Sequence, residues 1–136
     1  LENDIKKQIK NLKLESNVIM LGVLHLDEIY NFLKKINLFI MPSKSEGLNI
    51  AFLEAISMGC NIVVSNIDQF TYPIKHYGIE PDKINVRFVD PLNEKDIFSG
   101  INISLNGKQN NNYDCSDFSI QSMMMKYEDI YKEILL

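Results

Sequence analysis

Apolar positions recur at helical spacing over the first fourteen residues, "LENDIKKQIKNLKL", where Ile5, Ile9 and Leu12 share one face and the lysines lie elsewhere. The pattern then changes. "NVIMLG" is a short unbroken apolar run ending in glycine, which predicts a buried strand and its turn. "HLDEIYNFLKKI" returns to helical spacing, with Leu26, Ile29, Tyr30 and Leu33 on one face. Asp27 and Glu28 fall in its first turn and Lys34 and Lys35 in its last, matching the helix dipole. "NLFIMPS" predicts a second buried strand, stopped by Pro42. "NIAFLEAISMG" predicts a helix starting near Asn49, with Gly59 as its stop. "CNIVVSN" predicts a third buried strand and "NVRFVDP" a shorter fourth. "NEKDIFSGINISL" reads as a helix and "NGKQNNNYDC" as a polar loop. Residues 116 to 135 read as a closing amphipathic helix capped by Ser116 or Asp117.

Strands alternate with helices, and the strand runs are continuously apolar. That combination predicts an α/β fold: a Rossmann-like, doubly wound parallel sheet covered on both faces. There is no internal repeat, and 136 residues suit one domain, 1–136. With 46% hydrophobic and 24% charged residues the chain is an ordinary folded one rather than a disordered one. Its net charge of -4 and dispersed lysines point away from nucleic acid. No apolar run reaches membrane-spanning length and no signal peptide is visible. Cys60 and Cys115 lack CxxC spacing, which argues against zinc; they read as packed free thiols and fit a reducing cytoplasm. Met123, Met124 and Met125 read as gap-filling core on the last helix. The chain begins at Leu1 without an initiator methionine, so it reads as an N-terminally truncated piece.

The candidate chemistry lies in "MPSKSEGLNIAFLEAISMGCNIVVS", residues 41 to 65. In open parallel sheets, ligands bind outside the carboxyl ends of strands, where loops lead into helices. "MPSKSEGLN" is such a loop. Gly47 allows close approach of a ligand to the backbone, and the first turn of the following helix offers unpaired N–H groups to a phosphate. Glu46 beside such an anion site suits contact with uncharged hydroxyls. Glu54 falls between Ile50 and Met58 on a helix that is apolar around most of its circumference. A carboxylate buried there needs partners, and a vicinal diol such as a ribose could donate two hydrogen bonds to it. His25 reads as a helix-entry residue and His76 as a loop residue, since nothing nearby completes a catalytic arrangement.

"PSKSEGLNIAFLEAISMGCNIVVSN" resembles the donor-site motif of family 4 retaining glycosyltransferases. That motif has P-S-x-x-E-G, a second Glu after seven intervening residues, then A-x-x-x-G-x-P-V-V-x-S, and Glu46 and Glu54 meet the spacing. Asn61 stands at the motif's proline, and "IDQF", residues 67 to 70, stands where many members have a Gly-Gly turn. The flanking strand–helix pattern also resembles the family. The resemblance implies a partial C-terminal domain of a GT-B fold, whose active site lies between two Rossmann-like domains. It implies transfer of a sugar from a nucleotide sugar, such as a UDP- or GDP-sugar, to a glycan or lipid acceptor with retention of configuration.

In that family's terms Glu46 would be the catalytic residue, contacting hydroxyls of the transferred sugar. Ser45, Gly47, Leu48, Asn49, Ile50 and Ala51 would hold sugar and diphosphate, and Glu54 the ribose. Gly22 and Val23 would lie near the base. No cofactor and no metal are expected, because helix N-termini and basic side chains neutralise the leaving diphosphate. The acceptor domain, absent here, would bring the acceptor and peripheral association with the inner face of the membrane; the donor domain would be cytoplasmic. Donor domains of the family begin with two strands not found here. This implies a chain that folds only marginally alone and does not transfer sugar. A non-catalytic nucleotide- or glycan-binding module of the same fold is the alternative. A receiver-like signalling module lacks its acidic cluster in "VIMLG".

Overall fold

The computed structural model describes residues 1–47, 49–76 and 78–107, together with the single positions 116, 122, 124, 125, 128, 129 and 132. The described chain is α/β. Its sheet has three parallel strands in the order β1 (Phe39–Met41), β2 (Ile62–Ser65) and β3 (Val86–Val89). Met41 lies opposite Val64, and Val64 opposite Phe88.

The unbroken apolar run of β2 is explained by its place: it is the central strand, and all four of its residues are buried. One face carries Ile62, Val64 and Val86. Against it pack Leu33 of α2 (Leu26–Leu33), Phe52, Ala55 and Ile56 of α3 (Ile50–Ser57), and Phe70 and Ile74 of α4 (Asp68–His76). Phe52 and Phe70 meet edge to face at 5.1 Å between ring centroids, a favoured aromatic geometry. Cys60 sits in the same core as a free thiol, donating to the Leu33 carbonyl at 3.4 Å; burial pushes its pKa up.

The opposite face is covered by α5 (Glu94–Asn106), which packs on β2 and β3. Gly100 makes that approach possible. A Cβ there would come within 2.6 Å of Val89 Cγ1, and it would also meet the Arg87 stem and Val63. The sheet is thus doubly covered, as its apolar runs require.

The helix ends follow local chemistry. The Asn93 side chain caps α5, accepting from Lys95 N and Asp96 N. Gly59 ends α3 at φ +69°, with Cys60 N donating to the Ala55 carbonyl and Gly59 N to the Ile56 carbonyl, a Schellman closure. Gly78 has the same left-handed backbone just beyond α4.

Several expectations are corrected. "NVIMLG" forms no strand: Val18, Ile19, Met20 and Leu21 are 40%, 82%, 41% and 47% exposed. A strand needs a ladder partner, and the described residues pair only β1 with β2 and β2 with β3. The first helix, α1 (Glu2–Asn11), forms, but it buries no residue, and only Ile9 of the expected stripe is even half-buried. In α2, Leu26 is exposed while Ile29 and Tyr30 are half-buried. Its lysines lie past its end, with Lys34 as the C-cap. As an edge strand, β1 leaves Ile40 exposed.

Of residues 67 to 70, where the motif has a turn, only Ile67 lies before a helix: Asp68 opens α4. Pro73 inside that helix disguised it; burial of Phe70, Thr71 and Ile74 holds it. His76 is the last residue of α4, stacked on Tyr72, rather than a loop residue. Met124 and Met125 are exposed, not core. Successive helical residues are turned by about 100°, so three in a row cannot share one core-facing side. Cys115, Met123 and most of the closing helix expected over 116–135 lie outside the described residues.

Candidate functional site

The loop after β1 is closed by one side chain. Asn49 is the N-cap of α3, its Oδ1 accepting from Phe52 N at 2.9 Å. Its Nδ2 lies 2.8 Å from the sulfur of Met41, the last residue of β1. Asn49 therefore ties the end of the strand to the start of the helix across residues 42–48. Asn at this position reads from sequence as a helix start; its reach back to Met41 does not.

Glu46 sits in this loop, half-buried, with Ser45 and Gly47 exposed beside it; Leu48 lies outside the described residues. Gly47 differs from the other glycines. Gly22, Gly59 and Gly78 have left-handed backbone, Gly100 is forced by packing, and a Cβ at Gly107 would crowd the Ile103 carbonyl at 3.3 Å. Gly47 has none of these reasons: its φ lies outside the left-handed region, and an added Cβ would meet nothing within 4 Å. Among the described residues nothing fills the space in front of that backbone.

Glu54 is half-buried rather than buried. Helix α3 is not apolar on all sides in effect: Ile50 is 62% exposed and Ser57 is exposed. Positions 50, 54 and 57 form one stripe at helical spacing, so Glu54 lies on the open side of the helix, about 6 Å along the axis from Ile50. Phe52, Ala55 and Ile56 form the buried side. Among the described residues the carboxylates of Glu46 and Glu54 have no hydrogen-bond or ion-pair partner. Ala51, in the first turn, is half-buried.

Gly22 and Val23 lie in the exposed segment before α2. Val23 is 97% exposed, and the hydrogen bonds that close the loop do not involve either residue. His25 is the N-cap of α2, its backbone N–H donating to Glu28 Oε2 at 2.8 Å, which accounts for it as a helix-entry residue. Sequence reading overlooked Ser65. It ends β2 beside this loop, since Val64 pairs with Met41; it is fully buried, and its hydroxyl has no partner among the described residues. A single serine ending an apolar run gives little signal of this.

Among the described residues no group of three or more His, Cys, Asp or Glu side chains could hold a metal ion. No helix among them is long and apolar enough to cross a membrane. The basic group on the loop is Lys44, which is exposed. The arrangement offers helix N–H groups for an anion and two unpaired carboxylates for hydroxyl donors.

Comparison with known proteins bears on this arrangement. Over 135 residues the chain is 27% identical to an O-antigen biosynthesis glycosyltransferase, WclY, of Escherichia coli, covering 93% of this chain and 34% of that protein. Over 141 residues it is 29% identical to the UDP-Gal:alpha-D-GlcNAc-diphosphoundecaprenol alpha-1,3-galactosyltransferase of Escherichia coli, covering 100% of this chain and 35% of that protein. The chain thus spans about a third of the length of these curated relatives. No solved structure matches it. The family model for glycosyl transferases group 1 matches residues 1–115, which takes in the strand–loop–helix segment and all three strands, and the chain belongs to that family.

Proposed function

We propose that this chain is the donor-binding part of a family 4, GT-B-type retaining glycosyltransferase. The intact enzyme, of which this chain would be one part, transfers a sugar from a nucleotide sugar to a glycan or lipid-linked acceptor. The observation that carries this reading is the pair of half-buried, unpartnered carboxylates flanking the start of α3, beside a Gly47 whose missing side chain faces open space. In this reading the diphosphate lies over the first turn of α3, where unpaired N–H groups and the helix dipole stabilise its charge and the charge that grows on it as the sugar leaves. Glu46 accepts hydrogen bonds from the sugar hydroxyls. Glu54 accepts from the ribose diol, and the exposed Ile50 gives the nucleoside an apolar edge. Gly22 and Val23 approach the base. The Escherichia coli relative named for a diphosphoundecaprenol substrate supports a lipid-linked acceptor and so an association with a membrane.

Two substitutions in the intact enzyme separate these roles. Glu54→Gln weakens binding of free UDP or GDP by about 1–3 kcal/mol, the cost of a lost charge-assisted hydrogen bond; calorimetric titration measures it. Unchanged affinity for both nucleotides removes Glu54 from the site. Glu46→Ala depresses turnover and leaves nucleoside diphosphate affinity nearly intact. Equal losses of both would make Glu46 a support of the loop rather than a contact of the sugar.

A further inference from the structure

The amino ends of β2 and β3, opposite the loop described above, enclose a second site. A cavity of about 230 Å³ is lined there by Asn61, Asp82, Asn85, Arg87, Ile103 and Ser104. Arg87 is the chain's one arginine. Its stem packs under Gly100, and its Nε is buried without a hydrogen-bond partner among the described residues. No carboxylate among them lies within ion-pair distance of it, although Asp82 lines the same cavity. Opposite charges therefore face one space without meeting. A buried guanidinium N–H left without an acceptor is unfavourable, so a ligand that supplies one is favoured.

The charges decide what kind of ligand. Asp82 brings a negative charge, and α5 ends at this cavity with Ile103, Ser104 and Gly107, so the negative end of its dipole and its last unpaired carbonyls face the same way. An anion would suit Arg87 and be repelled by the rest. A neutral group with several hydroxyls suits all of them: it accepts from Arg87 and from the second N–H of the Asn61 amide, whose nitrogen also donates to the Asn37 carbonyl at 3.4 Å, and it donates to Asp82 and the helix carbonyls. Val86 and Ile103 offer apolar contact to the carbon edges of such a ring. The volume lies below the ~300–1,000 Å³ of pockets for drug-sized ligands and suits one pyranose ring. An open groove lined by Asn102 and Asn106 adjoins it, sharing Ile103 and Gly107, and leaves room for a next unit. Asn61 adds to the polarity because it stands where the motif named above has proline.

We propose that this cavity is a saccharide-binding site that holds one neutral hexose unit, separate from the donor site. It does not depend on the roles given to Glu46 and Glu54. Its test is a titration of the full chain with methyl hexopyranosides of the gluco, galacto and N-acetylglucosamine series. The shifts of the Arg87 Nε–H and the Asn61 side-chain amide are followed by NMR, and Arg87→Met identifies the first. Saturable shifts that persist under saturating UDP and GDP are expected. Arg87→Met, which keeps the packed stem, and Asp82→Asn at the exposed rim each weaken binding about tenfold, as for loss of one charge-assisted hydrogen bond. Asp82→Asn keeps the test decisive should Arg87→Met not fold. Shifts caused by inorganic phosphate but not by glycosides would make this an anion site and overturn the proposal. So would glycoside shifts erased by UDP or GDP, or no shift with any glycoside.

Discussion

"VIML" at residues 18–21 and "IVV" at 62–64 are nearly the same peptide to a sequence reader, yet they end in opposite environments. Ile62, Val63 and Val64 are fully buried, while Ile19 is 82% exposed. Composition does not separate them; neighbours do. The second run has β1 on one side and β3 on the other, helices on both faces, and every backbone group in a ladder. The first has no ladder partner among the described residues. An apolar run is thus an offer of a strand, and it becomes one only where a neighbouring strand supplies a ladder and helices supply cover.

The sharpest way to break the contrast is to damage the filled side. Phe52 is 1% exposed and touches Phe70 edge to face in the middle of the core. Phe52→Ala removes a buried ring and leaves a cavity, so it should cost about 3–5 kcal/mol. Urea unfolding followed by circular dichroism measures it. A loss below about 1 kcal/mol would mean that this core is as loosely held as the segment before α2.

Overpacking should cost less than emptying. Gly100→Ala places a methyl within 2.6 Å of Val89 Cγ1, below any normal carbon–carbon contact, so α5 or Val89 has to move. The penalty should be about 1–3 kcal/mol, offset in part by the better helix propensity of alanine, about 1 kcal/mol. The control is Gly47→Ala, where a Cβ meets nothing. If both substitutions have the same effect on the urea midpoint, then packing does not explain Gly100.

These residues also mark how far sequence reading reaches. The α/β class, β2, α3, α5, the Asn49 start and the Gly59 stop were legible because each rests on a local rule: an unbroken apolar run, a capping side chain, a left-handed glycine. The two glutamates were singled out by the motif's spacing and their roles stand as proposals, while the loop between β1 and α3 was legible from the place of loops after parallel strands. Helix α4 was not, since Pro73 argues locally against a helix that Phe70 and Ile74 hold by tertiary contact. Nor was the open side of α3. Ile50 reads as buried by type, and only the packing of Phe52, Ala55 and Ile56 shows that positions 50, 54 and 57 turn outward. The cavity around Arg87 was invisible for the same reason: its lining comes from the start of β3, the residue before β2 and the last turn of α5, which only the fold brings together.

The smallest expected effect is also the one that tests the opening contrast most directly. Ile19→Asp puts a charge in the middle of "VIML". If residues 18–21 lie as exposed as they are here, the aspartate stays solvated, no apolar contact is lost, and stability should stay within about 0.5 kcal/mol of the parent. Ile62→Asp, at a fully buried position of the central strand, serves as the opposite pole: an unpaired carboxylate there should prevent folding. Making the same Ile→Asp change in each run removes the type of residue from the comparison. A loss of several kcal/mol on Ile19→Asp would show that residues 18–21 pair or pack against a surface that the described residues do not supply. The outer edge of β1, unpaired among the described residues and with Ile40 exposed, would be the first place to look for such a partner, because an open apolar strand edge is where another strand adds most readily.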